Sequence, residues 1–164
     1  MIRMVQRLSE TPATLYELDE TAWLEVTAEL LRQGRFAEID RDSLAEYLTD
    51  MARLDRREVY SRLVVLLSHL LKWEHQPDQR SRSWRGTIVE QQRELRQLLE
   101  SGVLRNHAAA VFADAYADSR KQAAADTGLV RSTFPEECSW DLDGVLVDRE
   151  DEAEQDSPAT GSGE

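Results

Sequence analysis

The sequence predicts an all-α fold: a bundle of four to five helices with one long central helix, plus a C-terminal irregular segment and a disordered acidic tail. Three observations predict it. Apolar residues recur at helical spacing from Asp19 to Thr127. Capping side chains and glycines break that pattern at intervals of helix length. No stretch alternates with period two over enough residues to make a strand. The 164 residues, 41% of them hydrophobic, can fill one core and hardly two. The expected division is a flexible N-terminus over 1–14, a single helical domain over 15–147 and the tail over 148–164.

The first helix starts at Asp19, a good N-cap, and stops at Gly34, a good C′ residue. Trp23, Val26 and Leu30 share one face of it, and Leu24, Ala28 and Leu31 widen the stripe. A short loop follows, with Phe36 and Ile39 turned inward and Asp40 or Asp42 capping the next helix. That second helix is expected from about Ser43 to Glu74, ended by Pro77. Its apolar positions are Leu44, Leu48, Met51 and Leu54, then Val59, Leu63, Leu66, Leu70 and Trp73. The five-residue gap between the two sets predicts a break or kink near Leu54–Arg57. From Tyr60 to Leu71 the helix is apolar on most sides, so other helices must surround it.

Ser81 or Ser83 caps a third helix over Trp84–Ser101, closed by Gly102. Its core face is Trp84, Ile88, Leu95, Leu98 and Leu99, interrupted by Gln91 or Gln92. A fourth helix runs from Leu104 or Asn106 to Thr127, stopped by Gly128. After an extended stretch through Trp140, Asp141 caps a short element ending at Leu146.

Charge is the most uneven property of the chain. It carries 32 acids against 20 bases, a formal net charge of −12. Seven acids and one arginine lie between Asp148 and Glu164, so half of that charge belongs to the tail. The tail has too few apolar residues to repay the entropy of ordering. Residues 1–52 hold 11 acids and 5 bases, whereas residues 53–107 hold 7 acids and 11 bases. No apolar run approaches 18 residues, which excludes a membrane-spanning helix. The lone Cys138 cannot make an intramolecular disulfide, and the N-terminus lacks the apolar core of a signal peptide, so a cytoplasmic protein is expected.

Few residues invite chemistry. His69 and Lys72 sit one turn apart inside an apolar run, where unpartnered polar groups cost about 1–3 kcal/mol each. Either they titrate and act, or other helices supply hydrogen-bond partners. Glu46 and Asp50 stand at i, i+4. They could hold a hard cation, or pair with Arg35, Arg53 or Arg56. Arg80, Arg82 and Arg85 surround Trp84, a pattern that suits phosphate contacts beside a stacking base. The same pattern suits a core tryptophan whose neighbouring arginines pair with acids. Cys138 lies among acids that disfavour a thiolate and is structural. There is no Walker loop, nucleophile elbow or dinucleotide fingerprint, and neither a cofactor nor a resident metal is expected.

Several motifs taken in order resemble a family. They are Leu30-Leu31-Arg32 with Gly34-Arg35-Phe36, His69-Leu70-Leu71-Lys72-Trp73 with Gln76-Pro77, Arg82-Ser83-Trp84-Arg85, Gln92-Arg93-Glu94 and Phe134-Pro135-Glu136-Glu137-Cys138. Together they resemble the bacterial domain of unknown function number twenty-nine, over roughly Leu15 to Val147. Ser139 replaces the family's usual proline, and Gly102-Val103-Leu104 replaces a more usual Pro-Ser-Leu, leaving the fourth helix less sharply capped. The resemblance implies an all-helical, cytosolic bacterial protein and brings no activity or catalytic residue with it. It draws attention to one helix-turn-helix corner, His69, Lys72, Trp73, Arg82, Trp84 and Arg85, with Glu46 or Asp50 as candidate carboxylates facing it.

Three functions remain open at this level. The first is a protein-interaction or oligomeric binding module without catalytic activity. The second is a nucleic-acid-associated protein, a nuclease or regulator, using the Arg-rich corner over 72–85. The third is a small metal-dependent hydrolase using His69 with Glu46 or Asp50.

Overall fold

In the computed structural model, residues 12–147 are described, and they are helical without a strand. The expected tail over 148–164 and most of the expected flexible N-terminus lie outside the described residues. The chain divides into two compact units, one ending at Arg53 and the other beginning at Leu54.

The first unit holds α1 (Pro12–Leu18), α2 (Glu20–Arg32), a 3-10 turn at Phe36–Glu38 and the opening turns of α3, the helix Arg41–His75. Asp19 caps α2, its carboxylate accepting from the Ala22 N–H at 3.0 Å. Gly34 ends that segment at φ +71°, the left-handed region that suits glycine. Asp40 caps α3 by accepting from the Ser43 N–H at 3.2 Å and from the Ser43 hydroxyl at 2.7 Å. These hydrogen bonds hold the Asp40 carboxyl below the usual carboxylate range. The core of this unit is Leu15, Ala22 and Trp23, with Tyr16, Leu24, Leu44 and Tyr47 packed on it. Trp23 is fully buried between Tyr16 and Tyr47, with ring centroids at 4.7 and 5.6 Å.

Several positions expected to face inward here do not. Val26, Leu31 and Phe36 are exposed, as are Leu48 (60%) and Met51 (41%) on α3; Leu54, the first residue of the second unit, is exposed as well. Helical periodicity identifies an apolar stripe, but whether anything covers the stripe is a tertiary matter. No break falls at Leu54–Arg57: α3 is one helix of 35 residues. The change of stripe marks the boundary between units instead.

The second unit contains the rest of α3, a 3-10 turn at Pro77–Gln79, α4 (Arg82–Leu98), α5 (Gly102–Thr127), a 3-10 turn at Arg131–Thr133 and α6 (Leu142–Leu146). Val59, Leu63, Leu66, Leu67, Leu70 and Leu71 of α3 are at most 1% exposed, with Ile88 and Leu95 of α4 and Ala108, Ala115 and Ala123 of α5 around them. The small alanine side chains let α5 approach closely. Ser81 caps α4, and Gly128 stops α5 at φ +71°.

Gly102, expected to close α4, opens α5 instead. Ser101 is the N-cap, accepting from the Leu104 N–H at 3.5 Å, so this helix is capped despite lacking the proline start. The stretch Phe134–Leu146 is held to the helices by polar side chains that reach its main chain. Buried Gln92 donates to the carbonyls of Val145 and Val147 at 2.9 and 2.8 Å. Arg120 forks onto the Phe134 carbonyl at 3.2 and 2.9 Å, and the Tyr116 hydroxyl donates to the Pro135 carbonyl at 2.9 Å.

Candidate functional site

Lys72 is the most constrained charge in the second unit. Its residue is 4% exposed and occupies the last turn of α3, where a cation is favoured by the helix dipole. The ammonium donates to Asp126 Oδ2 at 2.8 Å, faces His69 Nε2 at 3.5 Å and lies 5.3 Å from the centre of the Trp84 ring. Asp126 also accepts from the Gln122 amide at 2.7 Å. Burial by itself raises the Asp126 pKa, but the hydrogen bonds from Lys72 and Gln122 and the charge of Lys72 outweigh it, and the net direction is down.

His69 is fixed by the same group. Its Nδ1 lies 2.9 Å from the Val65 carbonyl one turn back, which makes that nitrogen the donor and leaves the Nε2 lone pair toward Lys72. Burial first, then the neighbouring ammonium, push its pKa below the usual 6.5, against the opposing pull of the Val65 bond and Asp126. The ring is thus a neutral acceptor. Both nitrogens are engaged, one by a carbonyl and one by a cation, and neither is presented to a metal ion or a nucleophile. This argues against the hydrolase reading. Among the described residues no three His, Cys, Asp or Glu side chains are grouped as a metal site would need.

The other corner residues are placed differently. Trp73 is half-buried, with the Arg80 guanidinium 5.0 Å from its ring centre and donating to its carbonyl at 2.9 Å. Trp84 is half-buried against Lys72, so it offers no free stacking face there. Arg82 and Arg85 are exposed and make no ion pair among the described residues. Glu46 and Asp50 belong to the first unit, more than five turns before His69 in the sequence of α3. Asp50 pairs with Arg53 at 3.0 Å, and both carboxylates, after burial, help to raise the Tyr16 phenol pKa.

Sequence reasoning missed Asp126, the carboxylate that meets Lys72. One signal pointed to it: an acid in the last turn of a helix opposes the dipole and calls for a cation. Two open clefts were also not foreseen. One, of about 560 Å³, has Tyr60 and Lys121 on its walls; Tyr60 donates to Asp118 at 2.6 Å and its pKa is pushed up to about 12 by that bond. The other, of about 740 Å³, runs beside the C-terminal segment with Phe112, Tyr116 and Trp140 on its walls. Half-buried Cys138 lines it, and burial, with Glu74 adding to it, raises the thiol pKa, which makes a poor nucleophile.

The motifs singled out in the sequence therefore occupy structural joints: His69 and Lys72 at the α3–α5 contact, Gln92 and Phe134 where the last segment is fastened. A match to the family described as Domain of unknown function DUF29 covers residues 15–149. The chain belongs to this family. No curated protein and no solved structure matches the DUF29 chain. Among its described residues, no helix is long and apolar enough to cross a membrane.

Proposed function

We propose that this DUF29 protein is a non-catalytic protein-interaction module of the bacterial cytoplasm. One observation carries the reading: among its described residues, the first unit exposes more large apolar side chains than it buries. Leu15, Trp23, Leu30 and Ile39 are inside, while Leu18, Val26, Leu31, Phe36, Leu48 and Met51 are exposed. Leu48 and Met51 are three residues apart on α3 and share a face, the spacing by which a helix presents anchors to a partner. His69, Lys72 and Asp126 support the same reading, because each is already used by a neighbour within the fold.

A photo-crosslinking residue placed at position 48 in cells of the native host tests this. Adducts with protein at position 48, and none at exposed Ala110 on α5, are expected; no adduct at position 48 would end the proposal. A second reading, nucleic-acid association, is favoured by the exposed Arg82 and Arg85. It requires binding at low salt that Arg82→Glu with Arg85→Glu removes, and absence of binding by the unaltered protein rejects it.

A further inference from the structure

We infer that the cleft of about 740 Å³ beside the C-terminal segment is a docking site for an arginine on a basic segment of a partner protein. The site lies wholly in the second unit and does not depend on the Leu48–Met51 face. It is built by one side of α5 and by the segment that runs past it. Arg105, Ala109, Phe112 and Tyr116 recur at steps of four, three and four, so they share a side of the helix. The exposed alanines at 109 and 113 are small and leave space beside Phe112. The facing wall is fixed by the fold itself. The Tyr116 hydroxyl donates to the Pro135 carbonyl at 2.9 Å, with the Glu137 carbonyl at 3.4 Å, and Arg120 holds the Phe134 carbonyl. A ligand therefore need not order this wall in order to bind.

The chemistry of the lining selects a guanidinium. Glu136, Glu137, Asp141 and Asp143 line the cleft against one base, Arg105, which disfavours an anion. Arg105 already pairs with Asp143, and Asp141 caps α6. Glu136 and Glu137 are exposed and make no ion pair among the described residues. A small hard cation needs several ligands converging on one point, and among the described residues no three His, Cys, Asp or Glu side chains are so grouped. A guanidinium instead spreads its charge over a plane, donates to separate carboxylates and stacks on aromatic faces. Half-buried Phe112 and Trp140 offer such faces in the same cleft. Sites for free small molecules bury most of the ligand's surface, whereas this cleft is open to solvent, which favours a polypeptide segment laid across it.

The full chain, labelled with ¹⁵N, is titrated with the blocked peptide acetyl-Gly-Leu-Arg-Leu-Gly-amide at about 20 mM salt, where surface charges are little screened. Amide signals of residues 112–113 and 136–141 are expected to move, together with the Trp140 indole signal. The peptide with glutamate in place of arginine, and free arginine amide, should each bind at least about tenfold more weakly. The lysine peptide should bind about threefold more weakly or worse, because an ammonium lacks the planar fork. Glu136→Gln with Glu137→Gln should weaken the arginine peptide about three- to tenfold, the loss of two exposed pairs. Ala113→Leu, which intrudes on the cleft without altering its charge, should weaken it at least about tenfold.

No shift at about 5 mM arginine peptide, enough to populate a site of millimolar Kd, would overturn the inference. Shifts spread over the acidic surfaces of both units and unmoved by Ala113→Leu would overturn it as well. Equal binding of the lysine peptide would reject the guanidinium, and equal binding of free arginine amide would reject the polypeptide partner in favour of a small-molecule site. Far-UV circular dichroism checks that each variant is folded, and the peptide series on the unaltered chain stands without any variant. Crosslinks from position 48 report on the first unit, so failure of either proposal is distinguishable from failure of the other.

Discussion

The two units of the chain are built to opposite standards. The second wraps one stretch of α3 so completely that six of its apolar residues are at most 1% exposed, and each buried charge there has a named neighbour. The first has a core cluster of three buried apolar residues, Leu15, Ala22 and Trp23. Within it, the Trp23 indole N–H and the Thr27 hydroxyl are buried without a hydrogen-bond partner among the described residues, at a cost of about 1–3 kcal/mol each. The difference teaches where to look for function. The second unit leaves one buried side-chain nitrogen, His75 Nε2, without a partner among the described residues, whereas the first leaves two such groups and also holds leucine, methionine and phenylalanine in solvent, the kind of surface that marks interaction sites.

The largest expected effect is in the second unit's core. Leu67→Ala should cost about 2–5 kcal/mol by chemical denaturation, against less than about 0.5 for Leu48→Ala. Comparable losses at the two positions would break the contrast between the units.

Next comes the charge joint. Lys72→Ala strands Asp126 and should cost about 2–3 kcal/mol, less than the roughly 3–5 of a fully buried pair because a third of the Asp126 side chain is exposed. Lys72→Met, which keeps the stem, should cost less than Lys72→Ala in the same denaturation series. If Lys72→Met instead leaves the fold intact but removes a biochemical activity, the structural assignment of Lys72 fails.

A smaller loss is expected at Gln92→Leu, about 1–3 kcal/mol, because two carbonyls of the C-terminal segment lose their donor. Amide exchange should quicken over Asp141–Val147 and stay unchanged over Leu63–Leu71.

The smallest effect is a pH dependence. The folded pKa of His69 lies below 6.5, so the unfolded chain binds the proton more readily. Its stabilising contribution is complete above about pH 6.5 and fades as pH falls through the folded value. Denaturation midpoints measured from pH 7.5 downward should show this slope in the unaltered protein and lose it in His69→Gln.

Much of the fold was legible because its punctuation is local. Asp19, Ser81 and Asp141 cap the helices they precede, and Gly34 and Gly128 take the left-handed conformation that ends one. Ser101-Gly102 was misread because a serine followed by glycine serves equally well after one helix and before the next. The exposure of Leu48 and Met51 was not legible, since periodicity reveals a stripe and says nothing of its cover. The site was half legible: His69 and Lys72 announced themselves as polar residues in an apolar run, but their carboxylate lies 54 residues beyond Lys72. Only the packing of α5 on α3 brings the two together.

The contrast between the units is tested most directly by amide hydrogen exchange on the intact, unaltered chain. Residues 20–32 and 41–53 should exchange at least about tenfold faster than residues 63–71 and 88–95 in dilute solution. Uniform protection across both units would contradict it.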